Sequence, residues 1–267
     1  MSTQPDVIAK ARVVYTMPGI DAVTVRRDIE YRGVDGDTLT MDVYYPANAR
    51  SGAPLPAVLF VLGYSDVGAQ RIFGRKMKEL GSYVSWAQLT AASGVIGITY
   101  TTNEPKADTE AALQYVRQNA APLGIDAKRI GIWSASGNVP NALSLLMQGH
   151  EWVECAVLCY GYMLDAPSSS EVADASKRWG FVNPSAGKSM ADLPRALPLF
   201  IARAGLDDPA LNRALDRCLA EAVACNLPVT FVNHAVGPHA FDLFHDSETS
   251  REIVRGILAF MRFNLLT

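Results

Sequence analysis

The chain contains one stretch that decides its fold, Arg129-Ile-Gly-Ile-Trp-Ser-Ala-Ser-Gly-Asn-Val-Pro-Asn-Ala-Leu143. Residues 129–133 have the pattern of a buried strand, small residues follow them, and Pro140 stands where a helix is expected to begin. A serine at the tip of such a strand–turn–helix unit exposes its hydroxyl, and the backbone N–H of the next residue points to where an oxyanion forms. The stretch therefore predicts a reactive serine at the end of a buried strand.

Two serines compete for this tip. If Ser136 occupies it, Gly137 follows and the small residue Ser134 stands two positions before. If Ser134 occupied it, Ile132 would stand two positions before, where the tight turn leaves little room for a side chain. The spacing favours Ser136, although a lone serine in such a turn is more often structural, because serine is common in turns and at helix caps.

The flanking sequence predicts an α/β fold with about eight strands. Residues 24–31 and 38–45 flank Asp35-Gly36, a dipeptide typical of tight hairpins, so an antiparallel pair is expected first. Six apolar runs then alternate with helical stretches, which indicates a mostly parallel sheet flanked by helices. These runs are residues 57–62, 95–100, 129–133, 155–160, 199–204 and 229–233.

The clearest helical periodicity lies in residues 107–119, 211–224 and 250–266. Residues 163–197 break the pattern, because prolines, a glycine and a run of three serines interrupt any long element. We expect this segment to be a short cap or lid, with Trp179 and Phe181 as its main aromatic side chains. It would be inserted in a single domain that spans residues 1–267.

The composition excludes several function classes. The chain has 267 residues, and 24 Lys and Arg against 27 Asp and Glu give a formal net charge of −3. No basic excess is left for nucleic acid or an anionic membrane surface. The longest apolar run, residues 57–64, is far shorter than the ~20 residues that cross a bilayer. No export signal is evident and the four cysteines form no C-x-x-C pair, so we expect a cytoplasmic protein with reduced thiols.

With Ser136 at the tip, the segment resembles the nucleophile elbow of the α/β-hydrolase superfamily, in particular of esterases and dienelactone-hydrolase-like members. Their motif reads G-x-S-x-G, and here Ser134 and Asn138 stand at the two glycine positions. The resemblance covers residues 24–266. It implies that an acid and a histidine follow the serine in chain order.

The acid implied by this resemblance lies after the run at residues 199–204, where Asp207 and Asp208 form an acidic turn. Open α/β sheets carry functional side chains at such carboxyl strand ends. Counting from Ala204, the family's small-x-x-Asp spacing favours Asp207, whereas a Gly-x-x-Asp spacing selects Asp208. One of the two carboxylates could instead cap the helix that is expected to begin near residue 209.

The base implied by the resemblance is His239. Residues 237–241 read Gly-Pro-His-Ala-Phe and resemble the G-x-H-x-F histidine loop of dienelactone-hydrolase-like enzymes. The order Ser136, Asp207, His239 matches that of the superfamily. Similarly, Leu62-Gly63-Tyr64 resembles the family's His-Gly-x turn, which makes the backbone N–H groups of Tyr64 and Gly137 the expected oxyanion donors.

The resemblance implies a serine hydrolase that cleaves a small carboxylic ester, of short to medium acyl length, through an acyl-enzyme on Ser136. No cofactor and no metal are expected, because neither metal-ligand spacing nor a nucleotide-binding glycine motif is present. A peptidase or a lactonase would use the same triad. Asn138 also leaves open a non-catalytic ligand-binding protein on the same fold, and a homo-oligomer is left open as well.

Overall fold

Eight strands form one sheet in the structure, a computed structural model that describes residues 5–34, 37–47, 49 and 53–267. The strands are β1 (Thr24–Val34), β2 (Asp37–Tyr45), β3 (Leu55–Phe60), β4 (Ile96–Tyr100), β5 (Ile125–Ala135), β6 (Val153–Cys159), β7 (Leu199–Ala204) and β8 (Val229–His234). Their spatial order is β1-β2-β4-β3-β5-β6-β7-β8. The predicted eight-stranded α/β sheet is confirmed.

The sheet is mostly parallel. β1 pairs antiparallel with β2, and β2 pairs antiparallel with β4, whereas every pair from β4 to β8 is parallel. The predicted antiparallel opening pair is therefore confirmed, and its turn at Asp35-Gly36 lies outside the described residues. Because the strands from β3 to β8 are parallel, their carboxyl ends meet at one edge of the sheet, where a site can form.

Ten helices accompany the sheet in the described part of the chain. They are α1 (Pro5–Lys10), α2 (Asp66–Phe73), α3 (Gly81–Ala92), α4 (Pro105–Gln118), α5 (Ala120–Leu123), α6 (Val139–Leu146), α7 (Glu171–Trp179), α8 (Pro209–Ala224), α9 (Phe241–Phe244) and α10 (Glu248–Leu266). The three clearest predicted helices correspond to α4, α8 and α10, each within two residues at both ends. Prolines begin α4 and α8, and Ser247 caps α10 by accepting from the Ser250 N–H.

Helices α3 and α10 pack on the same face of the sheet. Gly97 of β4 and Gly131 of β5 stand in one row, with Val58 of β3 between them. A Cβ on Gly97 would lie 2.8 Å from the Ala87 carbonyl oxygen of α3, and one on Gly131 would lie 3.1 Å from Leu265 of α10. Since glycine has no side chain, both helices approach the central strands closely. All five residues of β4 are buried, as expected for a strand that is covered on both faces.

Residues 163–197 contain α7 and one short 3₁₀ turn, Met190–Asp192. Glu171 at the start of α7 forms an ion pair with Arg217 of α8 at 2.9 Å. Of the two predicted aromatic side chains, Trp179 is half exposed, whereas Phe181 is buried against Tyr64. Phe181 thus brings this segment to the carboxyl edge of the sheet.

None of the helices in the described residues combines the length and the apolar character that crossing a bilayer requires.

Candidate active site

The sharp turn between β5 and α6 carries Ser136 at its tip. β5 ends at Ala135, Ser136 begins a single 3₁₀ turn, and α6 begins at Val139. Ser136 has a φ of 58°, in the left-handed region, which is strained for a residue with a side chain. The loop that contains Gly63 packs closely against this turn, since a Cβ on Gly63 would lie 2.6 Å from the Gly137 carbonyl oxygen. Close packing therefore holds the strained serine in place.

The other serine of the sequence motif lies away from the tip. Ser134 is fully buried within β5, and its hydroxyl donates to the Val61 carbonyl oxygen at 3.4 Å. Only Ser136 of this pair can reach a substrate.

Ser136, His239 and Asp207 form a continuous chain of hydrogen bonds. Ser136 Oγ lies 2.9 Å from His239 Nε2, and His239 Nδ1 lies 2.7 Å from Asp207 Oδ2. Asp208 has a different partner: its Oδ1 accepts from the Ala210 N–H at 2.7 Å and caps α8. Of the two adjacent carboxylates, the geometry selects Asp207 as the partner of the histidine and leaves Asp208 as a helix cap.

The position of the proton on a neutral His239 ring follows from its hydrogen-bond partners. An ionised Asp207 can only accept, so the bond to His239 Nδ1 requires a proton on that nitrogen. Nε2 of the neutral ring is then the acceptor, and the Ser136 hydroxyl donates to it. This tautomer lets His239 remove the serine proton.

A buried carboxylate behind the histidine loop has no counterpart in the sequence analysis. Asp242 accepts from Trp86 Nε1–H at 2.7 Å and from the Tyr160 hydroxyl at 2.6 Å. Burial raises the pKa of the Asp242 carboxyl. The Tyr160 ring in turn packs edge-on against His239, with ring centroids 5.1 Å apart. Asp242 thus joins the histidine loop to α3 and to the end of β6.

The two expected oxyanion donors belong to the serine turn and to the loop beside it. Gly137 directly follows Ser136, and Tyr64 belongs to the loop that presses on this turn. Within the described part of the chain, the Tyr64 N–H has no acceptor, whereas the N–H and C=O groups of Leu62 and Gly63 all have partners. The Tyr64 N–H is therefore available to a ligand.

A pocket of about 170 Å³ adjoins Ser136 and His239. Most of its walls are aromatic or aliphatic. Burial raises the pKa of the Tyr64 hydroxyl, so this side chain is neutral and adds to the weakly polar character of the wall. The residues that line it besides the triad members are Tyr64, Phe73, Met77, Leu80, Ser82, Tyr83, Trp86, Trp133, Ala135, Asn138, Tyr160, Ala240, Asp242 and Leu243. The pocket can receive a small apolar group bound to Ser136.

The other histidines lie outside this arrangement. His150 stacks on Trp152, and the rings of His234 and His245 pack against each other. Across the described residues, no group of three or more His, Cys, Asp or Glu is arranged to hold a metal ion.

No family model matches the chain, and the search of curated proteins found no match. Solved structures do resemble it. A hyperthermophilic esterase from the archaeon Pyrobaculum calidifontis has a TM-score of 0.69 at 21% identity, with 90% of this chain and 85% of that chain covered. A thermostable carboxylesterase cloned from a metagenomic library has a TM-score of 0.70 at 20% identity, with 91% and 89% covered. A bacterial heroin esterase has a TM-score of 0.69 at 18% identity, with 92% and 86% covered. The protein therefore has the α/β-hydrolase fold of these esterases, as its sequence predicted.

Proposed function

We propose that the protein is a serine hydrolase that cleaves carboxylic esters of short to medium acyl length. Ser136 is the nucleophile, His239 is the general base and then the general acid, and Asp207 orients the imidazole. The observation that carries this proposal is the hydrogen-bonded chain Ser136–His239–Asp207 at the edge of a small apolar pocket. The fold shared with proteins named as esterases supports an ester as the substrate.

In the first half of the reaction, Ser136 Oγ bonds to the ester carbonyl carbon while His239 Nε2 takes the hydroxyl proton. The carbonyl electron pair moves to oxygen, and the N–H groups of Tyr64 and Gly137 stabilise the resulting oxyanion. When the intermediate collapses, the alkoxide leaves with the proton from His239, and the acyl group stays on Ser136. Water then repeats these steps, with His239 as its base, and releases the carboxylic acid.

The pocket supports a short to medium acyl group. Its volume of about 170 Å³ is below the range of ~300–1,000 Å³ that is usual for drug-sized ligands. Trp86 and Trp133, both buried, form part of its wall, and their tilted rings pack together with centroids 5.2 Å apart. A long acyl chain would have to displace these buried rings.

We also propose that residues 163–197 act as a lid over this site. The ion pair of Glu171 with Arg217 anchors one end of the segment, and the Val182 N–H donates to the Gly63 carbonyl oxygen at 2.9 Å beside the serine turn. The cytoplasmic location and the single-domain organisation that the sequence predicts stay predictions.

Hydrolysis of p-nitrophenyl esters of increasing acyl length, with Ser136→Ala as the control, tests the proposed activity. We expect turnover that is highest for short chains and absent from the Ser136→Ala variant. Equal turnover by this variant would contradict the role of Ser136.

A fluorophosphonate probe separates the remaining alternatives. Labelling of Ser136 without ester turnover would indicate a peptidase or a lactonase, because such an enzyme uses the same activated serine. A folded protein that neither labels nor turns over would be a ligand-binding protein on this fold.

A further inference from the structure

We propose that Asn138 and Asn141 form an amide clamp that positions the oxyanion loop, defined as Leu62-Gly63-Tyr64, for catalysis. Both asparagines are positioning residues, because they act through the loop and not on the substrate. The proposal rests on the proposed function, in which the Tyr64 N–H stabilises the oxyanion. It assigns a purpose to Asn138, one of the two residues that depart from the G-x-S-x-G pattern.

Asn138 holds one end of a single peptide unit. Its side chain is buried, and its Oδ1 accepts from the Gly63 N–H at 2.6 Å. Its Nδ2 donates to the Ala135 carbonyl oxygen at 2.9 Å and to the Tyr83 hydroxyl at 3.0 Å. A flipped amide would place N–H against N–H and oxygen against oxygen, so these neighbours set its orientation.

Asn141 holds the other end of the same peptide unit. It stands three residues further along the chain, and its Nδ2 donates to the Leu62 carbonyl oxygen at 2.7 Å. The Nδ2 group also contacts the Thr109 hydroxyl at 2.9 Å and the Pro105 carbonyl oxygen at 3.1 Å. These contacts tie Asn141 to α4. The Leu62 C=O and the Gly63 N–H belong to one planar unit, so the two amides together fix its tilt.

The next peptide unit carries the oxyanion donor. Its C=O, that of Gly63, accepts from the Val182 N–H at 2.9 Å, and its N–H is that of Tyr64. Once the preceding plane is fixed, only rotation about the two backbone bonds of Gly63 can change the direction of this N–H. Glycine has the greatest backbone freedom, so the loop depends on contacts to both peptide units that meet at Gly63, the clamp on the first and Val182 on the second.

Loss of Asn138 would leave the buried Gly63 N–H without its acceptor. An unpaired buried donor is costly, and the loop can relieve this cost by turning toward another partner. That movement would displace the Tyr64 N–H from the oxyanion. Because a displacement of about 1 Å can cost about 100-fold in rate, we expect Asn138→Gly to lower kcat by about 10- to 100-fold.

The kinetic test compares Asn138→Gly, which restores the glycine of the family motif, with Asn119→Ala. Asn119 lies at the end of α4, and among the described residues its Nδ2 donates only to the Tyr115 carbonyl oxygen, so its loss should leave turnover unchanged. For Asn138→Gly we expect a lower kcat with a KM within about threefold of wild type, and a matching loss of affinity for a trifluoromethyl ketone that forms an oxyanion on Ser136. A kcat within twofold of wild type, or an unchanged affinity for the ketone, would overturn the clamp.

A second measurement is independent of turnover. Amide hydrogen exchange of the segment 61–66 should be faster in Asn138→Gly and in Asn141→Ala than in wild type, whereas exchange elsewhere stays the same. Unchanged exchange there would refute the clamp even if the protein hydrolyses esters. Conversely, the two variants could exchange faster than wild type while the wild-type protein does not hydrolyse esters. That result would contradict the proposed function but not the clamp. If Asn138→Gly does not fold, Asn138→Ala removes the same hydrogen bonds and replaces it in both experiments.

Discussion

Replacing Asp207 by asparagine is the sharpest test of the hydrogen-bonded chain. Asp207 Oδ2 accepts from His239 Nδ1 at 2.7 Å, and its Oδ1 accepts from the Asp208 N–H at 2.7 Å. In Asp207→Asn, the single amide oxygen will face the Asp208 N–H, because a backbone N–H can only donate and needs an acceptor. The amide NH₂ then faces His239 and donates to Nδ1. This pairing selects the ring tautomer with the proton on Nε2, which cannot accept the proton of Ser136.

The expected loss is about 10⁴-fold in kcat, the size seen when the wrong tautomer is imposed on an otherwise intact triad. It corresponds to about 5 kcal/mol of lost transition-state stabilisation, at about 1.4 kcal/mol for each factor of ten. Asp208→Asn is the matched control. Asparagine caps helices about as well as aspartate, so this variant should keep its stability within about 1 kcal/mol and its rate within about threefold.

The assay is initial-rate hydrolysis of a short p-nitrophenyl ester near pH 8 by wild type and both variants, together with thermal unfolding to show that all three are folded. A rate for Asp207→Asn within tenfold of wild type would refute the tautomer argument. A larger loss in Asp208→Asn than in Asp207→Asn would move the orienting role to Asp208.

Three further predictions concern Gly63, the buried Asp242 and the ion pair of Glu171 with Arg217. Gly63→Ala should lower kcat by about 100-fold, because the new Cβ would lie 2.6 Å and 2.8 Å from backbone atoms of residues 137 and 138. Gly68→Ala is the control: its nearest contact is 3.4 Å, so it should leave the rate of ester hydrolysis unchanged. Asp242→Ala should lower the free energy of unfolding in urea by about 2–5 kcal/mol, because two buried donors lose their acceptor. Asp242→Asn should lower it by less, since the amide oxygen still accepts one of these bonds. Equal losses of stability in the two variants would be evidence against this account. The Arg217 guanidinium lowers the pKa of Glu171 from its ordinary 4.5 to about 2, so the ionised pair stabilises the fold above pH 4.5 and this contribution is lost as the pH falls toward 2. The Tm difference between wild type and Glu171→Gln should therefore be constant above pH 5 and shrink below it. A Tm difference that does not change with pH would refute the contribution of the ion pair.

Asn138 shows where sequence analysis reaches its limit. In the sequence it is an extra side chain at a position where the G-x-S-x-G motif carries glycine, which favours a distorted turn. In the structure the same amide accepts from the Gly63 N–H, a residue 75 positions away along the chain. No local pattern predicts such a bond, because the donor belongs to a loop that only the folded sheet brings beside the turn.

Asp242 is a second case of the same kind. Its partner Trp86 lies 156 positions away, and neither residue belongs to a motif. Tryptophan N–H groups and carboxylates are common enough that their pairing has no signature in one sequence. The one signal in the sequence for a buried Asp242 is that an acidic residue stands between two apolar ones, in Phe241-Asp242-Leu243.

The sequence by itself determined the eight-stranded sheet, its antiparallel start and the position of Ser136, because buried strands, turns and helix starts each depend on residues that are neighbours in the chain. For the carboxylate that is expected to orient His239, it left a choice between two adjacent residues, Asp207 and Asp208. Only the tertiary structure decided that Asp207 bonds to His239 while Asp208 caps α8, and that Asn138 and Asn141 bond to the peptide unit between Leu62 and Gly63. The physical reason is that hydrogen bonds depend on distance and direction within a few tenths of an ångström, and these are set only when loops from separate strands meet at the edge of the sheet.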